Sequence, residues 1–166
     1  MKFINLKNEK ILIKNNFLFI KNIYFCKIKI PKDLILIFNK NKISFYSFSF
    51  KKKNEISFLK IIKNLLIGVF KLWEKEIFIS GIGYKILIKK NEIFFNLGFS
   101  KNKILIIPNY IIIDIKKDKI ILKSVFKDKI GIFVNKILKI KKFNPYKKKG
   151  LYLKNPILKK SSKKKQ

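Results

Sequence analysis

The sequence predicts an α+β protein with two similar modules, each an antiparallel sheet covered on one face by a helix, plus a basic C-terminal tail. Short runs of β-branched and aromatic residues with period-two alternation predict strands, and each set of strands is followed by an apolar stripe with helical spacing. This order of strands and then a helix occurs twice within 166 residues. The repeat length of about 75 residues therefore favours two copies of one module.

Strands of the first module are predicted in four apolar stretches that turn-forming residues separate; they cover 11–13, 17–30, 34–38 and 43–50. Apolar residues at helical spacing between 58 and 73 predict the helix of this module. Asn54 is the expected N-cap, with Glu55 in the first turn. Gly68 weakens the helical pattern. We place the boundary near residue 75, so the first module spans 1–75.

The second module, 76–152, has the same order of elements. Its predicted strands cover 77–89, 93–99, 104–107, 111–115 and 120–126. A helix is expected to start near Asp128, because apolar residues between 130 and 138 lie on one helical face. The composition changes at residue 141, beyond which the chain has 11 Lys and two Pro. We expect residues from 141 onward, including the tail 153–166, to be ordered only against a polyanion.

The charge of the chain is strongly positive. All 41 basic residues are Lys, against nine acidic residues, which gives a formal charge of +32. Such a chain is expected to bind nucleic acid or an anionic membrane surface. Lys, Asn, Ile and Phe have AT-rich codons, so part of the lysine content reflects a biased genome and the charge alone does not identify the partner.

The composition also excludes most enzyme classes. The chain has no His, so His-based catalytic triads and His-containing zinc sites are impossible. Cys26 lies in an apolar stretch, where a buried thiol is the expected state. The close carboxylate pairs, Glu74 with Glu76 and Asp114 with Asp118, are flanked by Lys and are interpreted as surface ion pairs. We therefore expect no enzyme activity, no metal site and no cofactor.

No apolar run reaches the roughly 18 to 20 residues that a membrane-spanning helix needs. The first ten residues have neither an apolar core nor a cleavage site, and they lack the Arg and Ser of a transit peptide. We expect synthesis in the compartment where the protein works. The severe codon bias favours a mitochondrion, with a plastid or an AT-rich bacterial cytoplasm as alternatives.

Two stretches of the second module carry a more specific pattern. Residues 80–85 read Ser-Gly-Ile-Gly-Tyr-Lys and are followed at 96–100 by Asn-Leu-Gly-Phe-Ser; Gly131 precedes Phe-Asn-Pro-Tyr-Lys-Lys-Lys-Gly-Leu-Tyr at 143–152. Gly-Ile-Gly alone indicates a strand bend or bulge, and it is a poor phosphate loop because no Gly-Lys-Ser/Thr follows. Together the stretches resemble the large-subunit ribosomal protein six family of bacterial and organellar type. The resemblance is firm over about 76–152 and weak over 1–53.

The chain departs from the family pattern at three places. Lys148 replaces the middle Gly of the C-terminal signature, Phe143 stands where Pro is usual, and the preceding basic pair is Lys141-Lys142 instead of Arg. Because Lys adopts a positive φ less easily than Gly, the backbone near Lys148 is expected to differ.

The resemblance implies a structural ribosomal protein whose second module binds large-subunit ribosomal RNA near the region where translation factors dock, beside neighbouring ribosomal proteins. Aromatic residues in these stretches are more often packing residues than stacking platforms. The predicted RNA contacts are Gly81, Gly83, Tyr84, Lys85, Ser100, Lys101, Lys141, Lys142, Tyr146, Lys147, Lys148, Lys149, Gly150, Lys154, Lys159 and Lys160.

Two other classes of protein would also explain the charge. An architectural DNA-binding protein of an organelle nucleoid would bind DNA without preferring folded RNA. A peripheral membrane protein would use basic amphipathic helices, but the apolar stripes are better used to cover sheets. We therefore favour the ribosomal interpretation.

Overall fold

The computed structural model describes residues 2–5, 10–32, 34–39, 42–47, 52–154 and 156. Its elements in the first half are β1 Lys2–Asn5, β2 Lys10–Lys14, β3 Phe17–Lys21, β4 Phe25–Lys29, β5 Leu34–Asn39, β6 Lys42–Ser47 and α1 Lys52–Phe70. Those of the second half are β7 Trp73–Ser80, β8 Lys85–Lys89, β9 Glu92–Asn96, β10 Lys103–Ile106, β11 Ile112–Lys116, β12 Lys119–Ser124, α2 Lys127–Ile140 and β13 Gly150–Tyr152. The α+β class with antiparallel sheets and two helices is confirmed.

The chain forms two compact units. Unit 1 comprises Met1–Trp73 with Val125–Asp128, and unit 2 comprises Glu74–Ser124 with Lys129–Gln166. Unit 1 contains the three-stranded sheets β1-β6-β5 and β2-β3-β4. Unit 2 contains the three-stranded sheet β8-β9-β10 and the four-stranded sheet β11-β12-β7-β13. The antiparallel pairs are β1-β6, β5-β6, β2-β3, β3-β4, β8-β9, β9-β10, β11-β12 and β7-β13.

In unit 1, the apolar stripe of α1 packs against the buried faces of the strands. Ile62 and Val69 are fully buried with Leu18 and Ile20 of β3 in one apolar cluster. Gly68 lies at a close approach, because an added Cβ would lie 2.3 Å from the carbonyl oxygen of Val125. The glycine that weakens the helical pattern in the sequence therefore permits close backbone packing.

In unit 2, α2 covers its own sheets in the same way. Ile130 and Ile137 are fully buried in a cluster with Ile77 of β7, Phe95 of β9 and Leu122 of β12. The stripe predicted between 130 and 138 is therefore the buried face of this helix. This core supports β7, whose end carries the candidate site.

Several predicted boundaries are wrong. Helix α1 begins at Lys52 and ends at Phe70, so Asn54 lies inside its first turn and is not the N-cap. The apolar stretch 17–30 is a hairpin of β3 and β4, and the stretch 77–89 contains a loop between β7 and β8. Period-two alternation continues across a tight turn, and it therefore does not show where one strand ends.

Two strands were not predicted from the sequence. The first is β1, which pairs with β6, and the second is β13, which pairs with β7. The expectation that the chain lacks its own order from residue 141 onward is wrong for 141–152, since residues 150–152 add a strand to the edge of a sheet. Backbone hydrogen bonds to a distant strand thus order a segment whose composition predicts disorder.

Candidate nucleic-acid interface

The end of β7 and the start of β13 bring together the two sequence stretches that carry the family resemblance. Gly150 lies opposite Ser80 in this antiparallel pair, and Leu151 lies opposite Ile79. The hydroxyl of Ser80 also donates a hydrogen bond to the carbonyl oxygen of Lys148 at 2.7 Å. Segments about 70 residues apart in sequence thus form one surface at the edge of the four-stranded sheet.

The loop between β7 and β8 is held by packing of Tyr84. An added Cβ on Gly81 would lie 2.6 Å from the Tyr84 ring, and one on Gly98 would lie 3.5 Å from it. Tyr84 is therefore a packing residue, and its ring lies between this loop and the segment after β9. Beyond it, the space around Gly83 is open and Ile82 is 92% exposed. The tip of this loop is accessible to a partner.

The segment 144–149, which we call the lysine loop, is closed by Asn144. Its side-chain oxygen accepts hydrogen bonds from the backbone N–H groups of Tyr146 at 2.9 Å and Lys147 at 3.1 Å. Its own backbone N–H donates to the carbonyl oxygen of Lys149 at 2.8 Å. These bonds form an Asx-type turn, which presents the loop side chains outward.

Lys148 lies in the left-handed region with φ of 52°. Lys148 thus adopts the conformation that a glycine favours, so the lysine does not prevent a positive φ at this position. The hydrogen bond from Ser80 to its carbonyl oxygen helps to hold it there. Lys148 adds a positive charge to this turn. A difference from the family's backbone here stays a prediction.

Gly150 is buried at the base of the lysine loop. An added Cβ would lie 2.6 Å from the Cα of Phe143 and 2.7 Å from the carbonyl oxygen of Lys142, both of them backbone atoms. The absence of a side chain thus serves packing within the chain. Contact between Gly150 and RNA stays a prediction.

Three aromatic rings form a cluster next to the lysine loop in sequence and at β7. The ring of Tyr152 is stacked on Phe78 of β7 at 5.7 Å and meets Phe143 at 4.9 Å. Phe143 stands at the position where the resemblance leads one to expect Pro, and here it contributes its ring to this cluster. Tyr152 is consequently a packing residue, whereas Tyr146 is 57% exposed in the loop.

Lys141 links the start of β13 to the segment after β9. Lys141 accepts a hydrogen bond at its carbonyl oxygen from the N–H of Leu151, and its ammonium lies 4.4 Å from the ring centroid of Phe99. Phe99 immediately precedes the exposed residues Ser100 and Lys101. The exposed lysines of the predicted set are Lys85, Lys101, Lys142, Lys147, Lys148, Lys149 and Lys154. Lys159 and Lys160 lie outside the described residues.

Acidic groups near this edge are paired with lysines. Glu76 accepts a hydrogen bond from Lys119 at 2.6 Å, and Glu74 lies 3.0 Å from the ammonium of Lys123. The hydrogen bond from Lys119 lowers the pKa of Glu76, and the charge of Lys154 lowers it further. Glu74 and Glu76 therefore form the surface ion pairs expected from the sequence.

Ser80, Asn144 and Phe143 position the lysine loop but were not among the predicted contacts. Asn144 had a local signal, since Asn at the start of a short polar segment favours an Asx turn. Ser80 had none, because its partner Lys148 is 68 positions away. Phe143 had none, because its ring contact with Tyr152 depends on how the loop between them folds. Sequence reasoning therefore finds the exposed charges more easily than the groups that hold them.

The described part of the chain offers no candidate metal site and no membrane-spanning helix. Its His, Cys, Asp and Glu residues form no group of three or more that could hold a metal ion. None of its helices is both long and apolar enough to cross a membrane.

No family model matches this chain. It is nevertheless similar to curated ribosomal proteins. Large ribosomal subunit protein uL6 of Karelsulcia muelleri is 32% identical over 144 residues, which cover 81% of this chain and 79% of that protein. The uL6 protein of Metamycoplasma arthritidis is 40% identical over 96 residues, or 57% of this chain and 54% of that protein.

A third relative, uL6c of Phaeodactylum tricornutum, is 36% identical over 105 residues, which cover 62% of this chain and 59% of that protein. This match and the mycoplasma match span little more than half of the relatives' length, whereas the Karelsulcia match spans most of both chains. Together with the joined motifs at β7 and β13, these similarities show that the chain belongs to the uL6 family of large ribosomal subunit proteins.

Proposed function

We propose that this protein is a structural, non-enzymatic constituent of the large ribosomal subunit, and that unit 2 binds large-subunit ribosomal RNA through the lysine loop and the surrounding edge. The observation that carries the proposal is the joining of both family motifs into one exposed basic surface at β7 and β13. Family membership supports the ribosomal assignment. The DNA-binding alternative has no comparable support.

The proposed mechanism is charge neutralisation combined with recognition of RNA shape. Lysine ammonium groups are point charges without the planar fork of Arg, so they bind phosphates with little base readout. The lysine loop places Lys147, Lys148 and Lys149 on a turn that Asn144 and Ser80 hold in one conformation. Lysines in fixed positions match the phosphate positions of one folded RNA better than those of another. The shape of the RNA thereby gives specificity.

The resemblance also supports a position near the region where translation factors dock, beside neighbouring large-subunit proteins. The lysine content without any Arg supports a genome with strong AT bias, and we propose a mitochondrial ribosome as the site of action. A plastid or an AT-rich bacterial cytoplasm is the alternative origin.

Sedimentation of a native lysate tests the ribosomal assignment. At low magnesium concentration the protein should travel with free large subunits, and at high magnesium concentration it should move with them into joined ribosomes. A protein that stays at the top of both gradients, or that follows DNA after nuclease treatment of RNA, would overturn the proposal.

Substitution of the loop lysines tests the proposed contact surface. The variant Lys147→Gln/Lys148→Gln/Lys149→Gln should flatten the log-log salt dependence of binding to large-subunit RNA by about 0.7 to 0.9 for each phosphate that the protein no longer neutralises. The matched control Lys60→Gln/Lys63→Gln/Lys71→Gln removes three exposed charges from or just beyond α1 of unit 1. Equal effects of the two variants would show that only total charge matters, which would contradict a defined site.

A further inference from the structure

The β2-β3-β4 sheet of unit 1 has two chemically different faces. Leu18, Ile20 and Cys26 point to the buried side, where they are at most 2% exposed. Because side chains alternate along a strand, their neighbours lie on the opposite side. The described side chains of this outer face are Leu12, Lys14, Phe17, Phe19, Lys21, Phe25, Lys27 and Lys29. The outer face is therefore made of apolar side chains, three of them aromatic rings, and lysines.

The three phenylalanines of the outer face form a continuous row of rings. Phe17 and Phe19 have centroids 6.5 Å apart, and Phe19 and Phe25 are stacked at 6.1 Å with an interplanar angle of 28°. Phe25 is 59% exposed, and Leu12, opposite Phe19 in the register, is 71% exposed. Large apolar groups exposed together on one face mark a binding surface more often than isolated exposed residues do.

Lysines surround and partly cover this row. The ammonium of Lys27 lies 4.0 Å from the ring centroid of Phe17 and 5.4 Å from that of Phe19. In the register, Lys29 and Lys14 flank Phe17 while Lys21 lies opposite Phe25, and all three lysines are exposed. None of the described side chains of the outer face is a carboxylate. The outer face thus exposes apolar aromatic rings that are surrounded by lysine ammonium groups.

The second unit shows that this surface is not a requirement of the module. Strands β2 and β8 have the same sequence, Lys-Ile-Leu-Ile-Lys, and Leu87 lies opposite Phe94 just as Leu12 lies opposite Phe19. At the positions of Phe17 and Lys27, however, unit 2 has Glu92 and Ile104. Packing of the sheet therefore does not demand the full row of rings and lysines found in unit 1.

We infer that the outer face of the β2-β3-β4 sheet binds unpaired nucleotides of RNA, with bases stacked on the rings of Phe19 and Phe25 and phosphates held by the surrounding lysines. Exposed rings on a sheet beside positive charges match the two parts of a single-stranded nucleotide chain, since bases stack on aromatic rings and phosphates bind ammonium groups. In a duplex the faces of the bases are stacked on one another and are not accessible to the rings. A duplex could therefore contact only the lysines of this face. This surface consists of residues of unit 1 and shares none with the lysine loop of unit 2.

The test uses the full chain and a single-stranded RNA of about ten nucleotides that contains 2-aminopurine, whose fluorescence is quenched by stacking. Wild-type protein should quench the probe on binding. Phe25→Leu keeps charge and apolar character but removes the ring; it should weaken binding about fivefold or more and abolish most of the quench. The slope of the salt dependence should not change, because no lysine is removed. Phe25→Trp should restore both readouts.

Phe94→Leu is the matched control, since it removes a ring from the corresponding sheet of unit 2, at the position that Phe19 has in unit 1, and should leave binding and quenching unchanged. The Lys147→Gln/Lys148→Gln/Lys149→Gln variant should retain the quench, which separates this proposal from the lysine-loop proposal. Wild-type affinity and quenching in a folded Phe25→Leu protein would overturn the inference. Loss of an acidic protein partner by Phe25→Leu, with unchanged RNA binding, would also overturn it and assign the face to a protein.

Discussion

The hydroxyl of Ser80 donates a hydrogen bond to the carbonyl oxygen of Lys148 across 68 positions of sequence. One residue ends β7 and the other stands at the tip of the lysine loop, in the left-handed conformation. Through this bond the core-supported sheet holds a loop that has few apolar residues of its own. The hydrogen bond to β7 therefore holds the backbone that carries the loop lysines in one position.

Ser80→Ala should loosen the lysine loop. We expect a loss of about 0.5 to 1 kcal/mol in the free energy of unfolding, because this exposed bond competes with water, together with weaker binding to folded RNA. Urea unfolding and RNA titration measure the two effects. The control Ser57→Ala changes an exposed serine of α1 and should leave RNA affinity unchanged. Unaltered RNA affinity in Ser80→Ala would show that the bond does not position the loop.

Lys148→Gly should be tolerated better than Lys147→Gly, although each removes one loop lysine. Lys148 has φ of 52°, where glycine is less strained than lysine, so its replacement should leave the free energy of unfolding unchanged or raise it by up to about 1 kcal/mol. Lys147→Gly adds flexibility without relieving strain and should lower it by about 0.5 to 1 kcal/mol. Chemical denaturation compares the two; equal losses would contradict the left-handed assignment.

The two helical glycines should respond oppositely to replacement by alanine. Gly68→Ala should destabilise unit 1 by about 1 to 3 kcal/mol, because the new Cβ would lie 2.3 Å from the Val125 carbonyl oxygen. A Cβ added at Gly131 would meet no atom within 4 Å. Gly131→Ala should therefore stabilise α2 by about 0.5 to 1 kcal/mol through helix propensity. Thermal unfolding distinguishes them. A stabilised Gly68→Ala protein would refute the close packing at this point.

Cys26 should be unreactive in the folded protein and should make stability sensitive to alkaline pH. Burial raises the pKa of its thiol from 9.0 to about 11, against a smaller lowering by a backbone hydrogen bond with Ile20. The folded state favours the neutral thiol, so this contribution is complete below pH 9 and is lost as the pH rises towards 11.

Alkylation rates and urea unfolding between pH 8 and 11 measure both effects of Cys26. Cys26→Ala is the control, since it removes only the thiol, and its stability should fall less steeply with pH. Rapid alkylation of the folded wild-type chain at neutral pH would be inconsistent with burial.

Removal of residues 153–166 tests the predicted role of the tail, which contains six Lys. The log-log salt dependence of RNA binding should flatten by about 0.7 to 0.9 for each phosphate that the tail neutralises in the intact chain. A full-length chain with the six tail lysines changed to Gln should behave like the truncated one, since charge is the proposed cause. An unchanged slope in both proteins would mean that the tail does not touch RNA.

Local patterns predicted much of this fold. The alternation of Cys26, Ile28 and Ile30 indicated a strand, and the stripe that contains Ile130, Phe133 and Ile137 indicated the buried face of α2. Such patterns arise because each side chain faces either the core or solvent within a few residues. Strand ends were less predictable, because the hairpin between β3 and β4 continues the same alternation.

The sequence by itself determined the α+β class, the two-module organisation as an expectation, the resemblance to a ribosomal protein family and the lysines that a polyanion could contact. These features depend on residues that are close in sequence. Only the tertiary structure decided that Gly150 pairs with Ser80, that Lys148 adopts a left-handed turn and that Phe17, Phe19 and Phe25 form one row beside Lys27. These relationships depend on strand pairing and register, and a single sequence does not specify which distant backbone groups satisfy one another.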